Sequence, residues 1–547
     1  MNPLKRYIRW FWRASKGARG RIALCCLLDI LRVFLSLYFV YVSKTLVDIA
    51  TGLSTQDFRF HSLIFIVCVL IQISLSGAKN YLFGGSDILL KNRLRGRLSM
   101  DLLRMDLERQ RRYHTGDITS RLEEDVRVIA NALTQVLPSS VATVVQFILA
   151  FVFLSHLDNR LAWAIVLVLP ACLLLSKLFV GTIRRLTLSI RQGESKVQSH
   201  IQESYQHLVL LQSLEKEPWM LERLDGLQKN LYGTVLRRNR FSAFSRMMLL
   251  SAFSGSYAIA FLWGVKGIHA GTVTFGMMTA FLQLVGQIQR PLADIARQAS
   301  TLVHATASAD RLMELEGKAP QINLEPMWLK GCLGIRFHNV SFMYPGGSRY
   351  ILKGFTHNFK PGSRTAIFGE TGAGKTTLFR LILALLSPDE GEISLYNENG
   401  ETVPITPSIR YHLTYVPQGN SLWSGTIREN LLLGNPKATD EEMKQALKTA
   451  MADFVFDLPD GLDTLCGEQG GGLSEGQAQR IAIARALLRK GTVMLFDELS
   501  SSLDEKTEET LIRNLVNLPG HTMLFITHRS RVADYCDRIL TVYRIRP

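Results

Sequence analysis

The stretch Gly369-Glu-Thr-Gly-Ala-Gly-Lys-Thr-Thr377 follows an apolar run, Arg364-Thr-Ala-Ile-Phe368, and precedes a helical one, Leu378 to Leu386. It has the form G-x-x-x-x-G-K-[ST] between a predicted strand and a predicted helix, the arrangement that cradles phosphate. Gly369, Gly372 and Gly374 let the backbone wrap a phosphate chain, with the N–H groups of the loop, Glu370, Thr371 and Ala373 included, pointing inward. The helix that follows adds favourable potential at its N-terminus, where Lys375, Thr376 and Thr377 stand. Lys375 reaches the β- and γ-phosphates, and the Thr376 hydroxyl is a Mg2+ ligand. By itself the motif predicts a phosphate-binding NTPase.

Two further stretches lie downstream. Thr492-Val-Met-Leu-Phe496 is an apolar run that ends in Asp497-Glu498. Buried parallel strands have this composition, and their carboxyl ends carry sites. Asp497 is placed to hold Mg2+ and Glu498 to polarise an attacking water. Leu473-Ser-Glu-Gly-Gln477 precedes the helical run Ala478 to Leu488, and Ser474 and Gln477 have capping-box spacing. Spacing alone leaves two readings of that segment, an ordinary capped helix or a second anion site.

Upstream, the composition changes. The 547-residue chain has a formal charge of +16. Residues 1–325 hold 39 Lys and Arg against 23 Asp and Glu, whereas residues 326–547 hold 24 of each. The basic excess therefore belongs to the apolar half, as expected of a membrane domain with basic cytoplasmic segments, and gives no reason to expect a nucleic-acid partner. Six stretches are long and apolar enough to span a bilayer, near 22–50, 61–84, 137–155, 161–181, 247–268 and 273–294. The links at 51–60, 155–160 and 265–272 carry only Arg59, Arg160 and Lys266, against seven basic residues before the first span, ten in 85–136 and eleven in 182–246. Both ends of the membrane domain are thus expected in the cytoplasm. The two long links show helical spacing (Leu94, Leu98, Leu102, Met105) and are expected to be stalks continuing the membrane helices. Charges fall inside the spans at Asp29, Arg32, Lys44 and Asp48; the spacing puts each pair on one helix face, either as a polar translocation path or as self-paired charge. Seven scattered cysteines, none in a C-x-x-C pair, argue against a disulfide framework or a metal site. The basic, aromatic N-terminus leads into an apolar run too long for a signal-peptide core, so a retained first helix is expected. Residues 317–333, with Pro320 and Pro326, have the composition of a linker, and short β-rich runs alternating with helices follow from 334.

These motifs together resemble the ABC (ATP-binding cassette) superfamily. Leu473–Gln477 resembles its LSGGQ signature, Tyr415-Val-Pro-Gln418 its Q-loop, Ser501-Ser-Leu-Asp504 its D-loop and Ile526-Thr-His528 its switch histidine. Val340-Ser-Phe-Met-Tyr-Pro345 is similar to the segment whose aromatic residue, here Tyr344, stacks on adenine. Leu422–Asn430 and Gly467-Glu-Gln-Gly470 resemble segments of six-helix exporters. The sequence departs from the pattern in Glu475, where Gly is usual, and in Ala478, where a basic residue is common.

The resemblance implies a multi-domain chain: an all-α six-helix transmembrane domain (1–316), then an α/β P-loop NTPase domain (334–547). It implies a dimer in which Ser474, Gly476 and Gln477 of one subunit complete the ATP site of the other. Glu498, His528 and Gln418 would act in hydrolysis, Asp504 would lie at the nucleotide, and Mg2+ would rest on Thr376, Gln418 and Asp497. Contacts with the ATPase are implied near His114-Thr-Gly-Asp117 and Tyr205–Gln212. The expected partner is a second half-transporter, identical or different, and the expected setting is a bilayer, the bacterial inner membrane, with the N-terminus and ATPase domain cytoplasmic. The expected cargo is an amphiphilic, lipid-like or drug-like small molecule; peptide and metal-conjugate export are the alternatives. With no peptidase segment read ahead of the first span, peptide maturation is the less expected alternative.

Overall fold

The computed structural model describes residues 3–105, 113, 115–316, 327–467, 472–499 and 503–545, without the side chains of 3, 4, 115, 168–180, 249, 292, 293 and 296. Two compact units emerge: residues 1–99 with 116–315, and residues 100–115 with 316–547. His114, Glu468, Gln469, Gly470, Ser501, Ser502 and residues 317–326 lie outside the described residues.

The first unit is helical. α1 (Pro3–Ala14) is followed by α2 (Arg19–Ala50), α3 (Phe58–Leu103), α4 (Gly116–Leu157), α5 (Asn159–Gln206), the short α6 (Leu208–Ser213), α7 (Glu217–His269) and α8 (Phe275–Leu315). Of these, α2, α3, α4 and α7 are long and apolar enough to cross a membrane, counted among the described residues. Most of the described part of the basic links is helical as well: α3 runs on to Leu103, α5 to Gln206, and α7 begins at Glu217, with Pro218 in the first turn where its missing N–H costs nothing. Asp158 alone separates α4 from α5. Its side chain accepts from the N–H groups of Arg160 (2.9 Å) and Leu161 (3.0 Å), capping α5, and from Trp263 Nε1 on α7 (2.7 Å). One carboxylate thus shapes a hairpin and ties it to a third helix.

The core of this unit gathers Val33, Leu37 and Val40 of α2, Ala150 and Leu154 of α4, Leu161 and Ile165 of α5, Ala260 of α7, and Phe281, Leu284 and Ile288 of α8. Small residues at the contacts let the helices approach closely, since apolar burial drives little association between helices in lipid. On α3, Leu63, Ile66, Leu70 and Ile73 are exposed, as lipid-facing side chains must be.

The intramembrane carboxylates are paired. Lys44 and Asp48 bond within α2 at 3.2 Å, and Asp48 Oδ1 also accepts from the Gly276 N–H at 3.0 Å, in the first turn of α8. The other pairing departs from the expected spacing: Asp29, buried, takes Lys79 of α3 at 2.8 Å, while Arg32 is exposed. A cross-helix cation replaces the local one because the arginine lies on the outward face. The other Asp29 oxygen, Oδ1, is buried without a hydrogen-bond partner.

In the second unit, the described strands form three sheets. A five-stranded sheet has the order β11 (Arg538–Thr541), β3 (Arg364–Phe368), β10 (Thr522–Ile526), β9 (Val493–Asp497), β6 (Leu413–Val416), parallel throughout. An antiparallel sheet has the order β2 (Leu352–Phe359), β1 (Leu333–Phe342), β4 (Glu390–Asn397), β5 (Thr402–Pro404). A two-stranded ribbon pairs β7 (Gly425–Thr426) with β8 (Leu465–Cys466). The described helices are α9 (Lys375–Ile382), α10 (Ile427–Leu432), α11 (Asp440–Thr449), α12 (Glu475–Leu488) and α13 (Glu505–Val516).

Every residue of β9 and β10 is buried, and the strand period of two sorts them onto two cores. Val493, Leu495, Leu524 and Ile526 face the antiparallel sheet and α9, while Met494, Phe496, Met523 and Phe525 face α10 to α13. Phe496 and Phe525 stack across the strands, ring centres 5.0 Å apart. The helix after the phosphate loop ends at Ile382 rather than Leu386, because Ala384 takes a left-handed backbone (φ 50°) that ends the helical geometry.

Replacing Lys79 by Met strands the buried Asp29 carboxylate and should cost about 3–5 kcal/mol. Adding Asp29→Asn should recover most of that loss, a non-additivity read from thermal unfolding of the four proteins in one detergent.

Candidate functional site

In a parallel sheet all carboxyl ends lie at one edge. Here that edge collects the phosphate loop after β3, Gln418 after β6, Asp497 and Glu498 at the end of β9, and His528 after β10. Because β10 lies between β3 and β9, the histidine that follows it falls between the loop lysine and the acid.

The loop is tight. At Gly369 (φ 156°) an added Cβ would stand 2.3 Å from the Val542 carbonyl, and at Gly374 (φ 100°) it would stand 2.6 Å from Ile351 Cγ2. Close approach, as well as positive φ, therefore demands glycine at both places. Glu370 accepts the turn bond from the Ala373 N–H at 3.1 Å, and Glu370 and Thr371 are exposed. Lys375 is buried; its ammonium folds back to donate to the carbonyls of Gly369 (2.5 Å) and Glu370 (3.3 Å). Burial pushes its pKa down, with Glu498 and Asp497 pulling it up.

From that lysine the polar contacts run in series. Lys375 Nζ lies 3.1 Å from His528 Nε2, His528 Nε2 lies 3.1 Å from Glu498 Oε1, and Gln418 Nε2 donates to Glu498 Oε2 at 2.5 Å. Glu498 has a left-handed backbone (φ 51°), uncommon for a residue with a Cβ, and its N–H donates to the Ile526 carbonyl at 3.0 Å. The strand ends there, and the side chain turns out over the sheet edge.

Asp497, one residue earlier, is buried. Burial pushes its carboxyl up, while hydrogen bonds from the Thr376 hydroxyl and the Tyr415 phenol and the charge of Arg380 pull it down. Tyr415 reaches Asp497 Oδ2 at 3.4 Å. A carboxylate held in low dielectric beside a hydroxyl, with its desolvation only partly offset, is a fitting donor set for a hard cation such as Mg2+.

The remaining predicted residues divide. Tyr344 donates its hydroxyl to, or accepts from, Thr377 Oγ1 at 3.1 Å and accepts from Arg380 at 3.2 Å, so the aromatic segment lies against the first turns of α9. Asp504 caps α13, accepting from the Thr507 N–H at 3.0 Å. Ser474 and Gln477 bond to each other: Ser474 Oγ accepts from the Gln477 N–H at 3.2 Å, and Gln477 Oε1 accepts from the Ser474 N–H at 2.9 Å. The structure thus forms the capping box. Within this chain the signature residues are not joined to the phosphate loop by these bonds. Glu475 is exposed in the first turn of α12, and Gly476 and Ala478 are buried.

Sequence reasoning missed three contributors. Gln479 on α12 is buried and donates from Nε2 to the Glu498 carbonyl at 3.1 Å, holding the left-handed residue from below. Its signal was available: an amide at a position whose helical neighbours Ala482, Ile483 and Ala486 form the buried stripe. Tyr415 and Arg380 are the others, and nothing in their spacing marked them as partners of Asp497 and Tyr344.

Fold and site define a P-loop ATPase unit joined in one polypeptide to a bundle of membrane-length helices. The family described as ABC transporter transmembrane region matches residues 22–292, and the family described as ABC transporter matches residues 352–501. The chain belongs to the ABC transporter superfamily, in the exporter arrangement of a membrane region followed by its ATPase, and is an ATP-binding, transport-coupled ATPase. It is 27% identical over 504 residues to the probable multidrug resistance ABC transporter ATP-binding/permease protein YheI of Bacillus subtilis (strain 168), covering 90% of this chain and 86% of that one. It is 29% identical to the ATP-dependent lipid A-core flippase of Pseudomonas fluorescens (strain Pf0-1), covering 85% of this chain and 77% of that protein. It also matches the serine protease/ABC transporter B family protein tagA of Dictyostelium discoideum at 29% identity, but spans only 28% of that longer protein. The fold matches a bacterial Atm1-family ABC exporter solved with ATP bound, at a TM-score of 0.79 and 24% identity, over 96% of this chain and 94% of that one.

Gln479→Leu should lower ATP turnover by about tenfold or more, of the order expected when the geometry of a catalytic group is loosened, with ATP affinity little changed. Parallel measurement of nucleotide affinity and kcat separates this from a folding defect.

Proposed function

We propose that this chain is half of an ATP-driven exporter, working as a homodimer with two composite ATP sites and moving an amphiphilic, lipid-like or drug-like molecule out of the cytoplasm. The observation that carries the proposal is the convergence of Lys375, His528, Glu498 and Gln418 at one sheet edge, within hydrogen-bond reach in sequence. The names of the similar proteins, a multidrug permease and a lipid A-core flippase, favour an amphiphilic cargo. The intended setting is the bacterial inner membrane, with the N-terminus and ATPase unit on the cytoplasmic side, as the lysine and arginine asymmetry of the six spans favours.

Each residue has a task that its surroundings support. Lys375 exchanges its two loop carbonyls and His528 for the β- and γ-phosphate oxygens of ATP, which are better partners for a buried cation. Freed from the lysine, His528 donates to the γ-phosphate and holds it in line. Glu498 accepts a proton from the water that attacks phosphorus, and Gln418 orients that water. Thr376, Asp497 and Gln418 would hold Mg2+, which when bound supplies charge neutralisation for the phosphate oxygens. Tyr344 offers its ring to adenine. Ser474, Gly476 and Gln477 face the nucleotide of the partner subunit, with the α12 N-terminus adding its dipole, and Asp504 lies beside that junction. Glu475 brings a carboxylate to the first turn of α12 and lowers its attraction for phosphate. Catalysis is positioning and charge stabilisation for the most part.

Glu498→Gln should abolish turnover while ATP binding persists and closed dimers accumulate; near-normal hydrolysis by this variant would refute the base assignment. Lys375→Ala should weaken nucleotide binding, and unchanged affinity would remove that residue from its role. The homodimer is tested by purifying the chain alone into lipid and assaying hydrolysis: steady ATPase activity that rises with the square of subunit density at low density is expected, and an inactive chain would favour a heterodimer with a different half.

A further inference from the structure

The helical unit contains a hollow of about 480 Å3 that no step of ATP hydrolysis uses. Its walls are α1 (Ile8, Phe11, Trp12), the first turns of α2 (Arg19, Ile22) and a stretch of α4 around Leu133 and Pro138. The lining is almost wholly apolar and includes no acid. Arg19 is the one charged residue in it. Its guanidinium lies 4.0 Å from the centre of the Trp12 ring and donates from Nη2 to the Trp12 carbonyl, while its Nε is buried without a hydrogen-bond partner. An unsatisfied donor is costly unless something supplies an acceptor, and Arg19 is only half-buried where it lines the hollow.

Two further features point the same way. The α4 wall includes a π-helical turn, Ala132–Val136, one of two in α4 with Arg121–Asp125; such turns are uncommon and often lie at functional sites. The segment around α1 is basic: Lys5, Arg9, Arg13 and Lys16 are exposed on and beside it, and Arg6 pairs with Asp310 at 3.6 Å. α1 itself carries cations on one side and Ile8, Phe11 and Trp12 on the other, the composition of a helix lying in a membrane interface.

We infer that this hollow binds an anionic membrane phospholipid, one acyl chain in the apolar space and the phosphate on the Arg19 guanidinium beside the basic α1 segment. The size suits the inference: pockets of a few hundred cubic ångströms enclose ligands of this scale. The electrostatics suit it as well, since basic clusters at the cytoplasmic end of a membrane helix select anionic headgroups. A zwitterionic lipid would leave Arg19 and the basic α1 segment without a net counter-charge.

The experiment uses the whole chain in nanodiscs doped with brominated phosphatidylglycerol or brominated phosphatidylcholine. Quenching of Trp12 fluorescence is isolated by difference from Trp12→Phe. Half-maximal quenching should need about fivefold less phosphatidylglycerol than phosphatidylcholine, the ratio that one cation contributes beside an anionic surface. Arg19→Gln should abolish that preference, and Arg19→Lys should keep part of it. Ala23→Leu, which narrows the hollow and leaves the cation in place, should reduce quenching by both lipids, so the inference stays testable should Arg19→Gln fail to fold. Equal quenching by the two lipids in the native chain would overturn it, because the hollow would then hold only bulk lipid. Loss of the preference on adding millimolar inorganic phosphate would overturn it too, because the ligand would then be a soluble anion. A preference unchanged in Arg19→Gln would take the headgroup site elsewhere and sink the assignment.

Discussion

The series of contacts from Lys375 through His528 and Glu498 to Gln418 depends on strand order, since each of these residues follows a different strand. They meet because β3, β10, β9 and β6 are parallel neighbours. Parallel pairing in turn requires burial on both faces. Here one face is covered by the antiparallel sheet and α9 and the other by α10 to α13. Removing either cover would leave alternate residues of β9 and β10 in water. The chemistry at the edge therefore rests on the two cores, and the apolar side chains of Val493 to Phe496 serve the site as directly as the acids that follow them.

The same series explains how a site built for phosphate is stable without it. A buried ammonium needs acceptors, and Lys375 takes two carbonyls of its own loop and the His528 ring. His528 Nε2 stands between a donor and a carboxylate at equal distances, and a single nitrogen cannot accept from one and donate to the other at once. The arrangement is thus poised for exchange. When phosphate oxygens satisfy the lysine, the histidine is released to serve as a donor. The self-satisfied loop also sets a threshold, because only a ligand with several acceptors in the right geometry replaces three bonds together.

Much of this was legible in the sequence, and for an identifiable reason. Phosphate chemistry is carried by short segments in which composition dictates backbone: Gly369 and Gly374 admit no side chain, and Asp497-Glu498 ends a run that only a buried strand would use. The capping box at Ser474 and Gln477 was readable from spacing because it is local. What escaped was non-local. Gln479 supports Glu498 from a helix nineteen residues upstream, and Tyr415 meets Asp497 across a strand pair. The pairing of Asp29 failed for the same cause. Helical spacing offered Arg32, and only the packing of α2 on α3 supplies Lys79.

The membrane-length helices show the converse limit. Their apolar residues are nearly interchangeable in lipid, so sequence fixes where the helices run but says little about which faces meet. The polar side chains carry that information. Asp48 receives the first turn of α8, Asp158 receives Trp263 of α7, and Gln287 of α8 donates to Ser36 of α2 at 3.0 Å. Each is a directional contact in surroundings where an unpaired polar group is expensive, and each joins helices distant in sequence. Dispersion packing supplies most of the cohesion, while these few bonds choose the neighbours. An orphan such as Arg19 Nε is conspicuous against that background. In a bundle where polar groups select the contacts, an arginine that lines an apolar hollow with one donor unpaired suggests a place where a partner from outside the chain belongs.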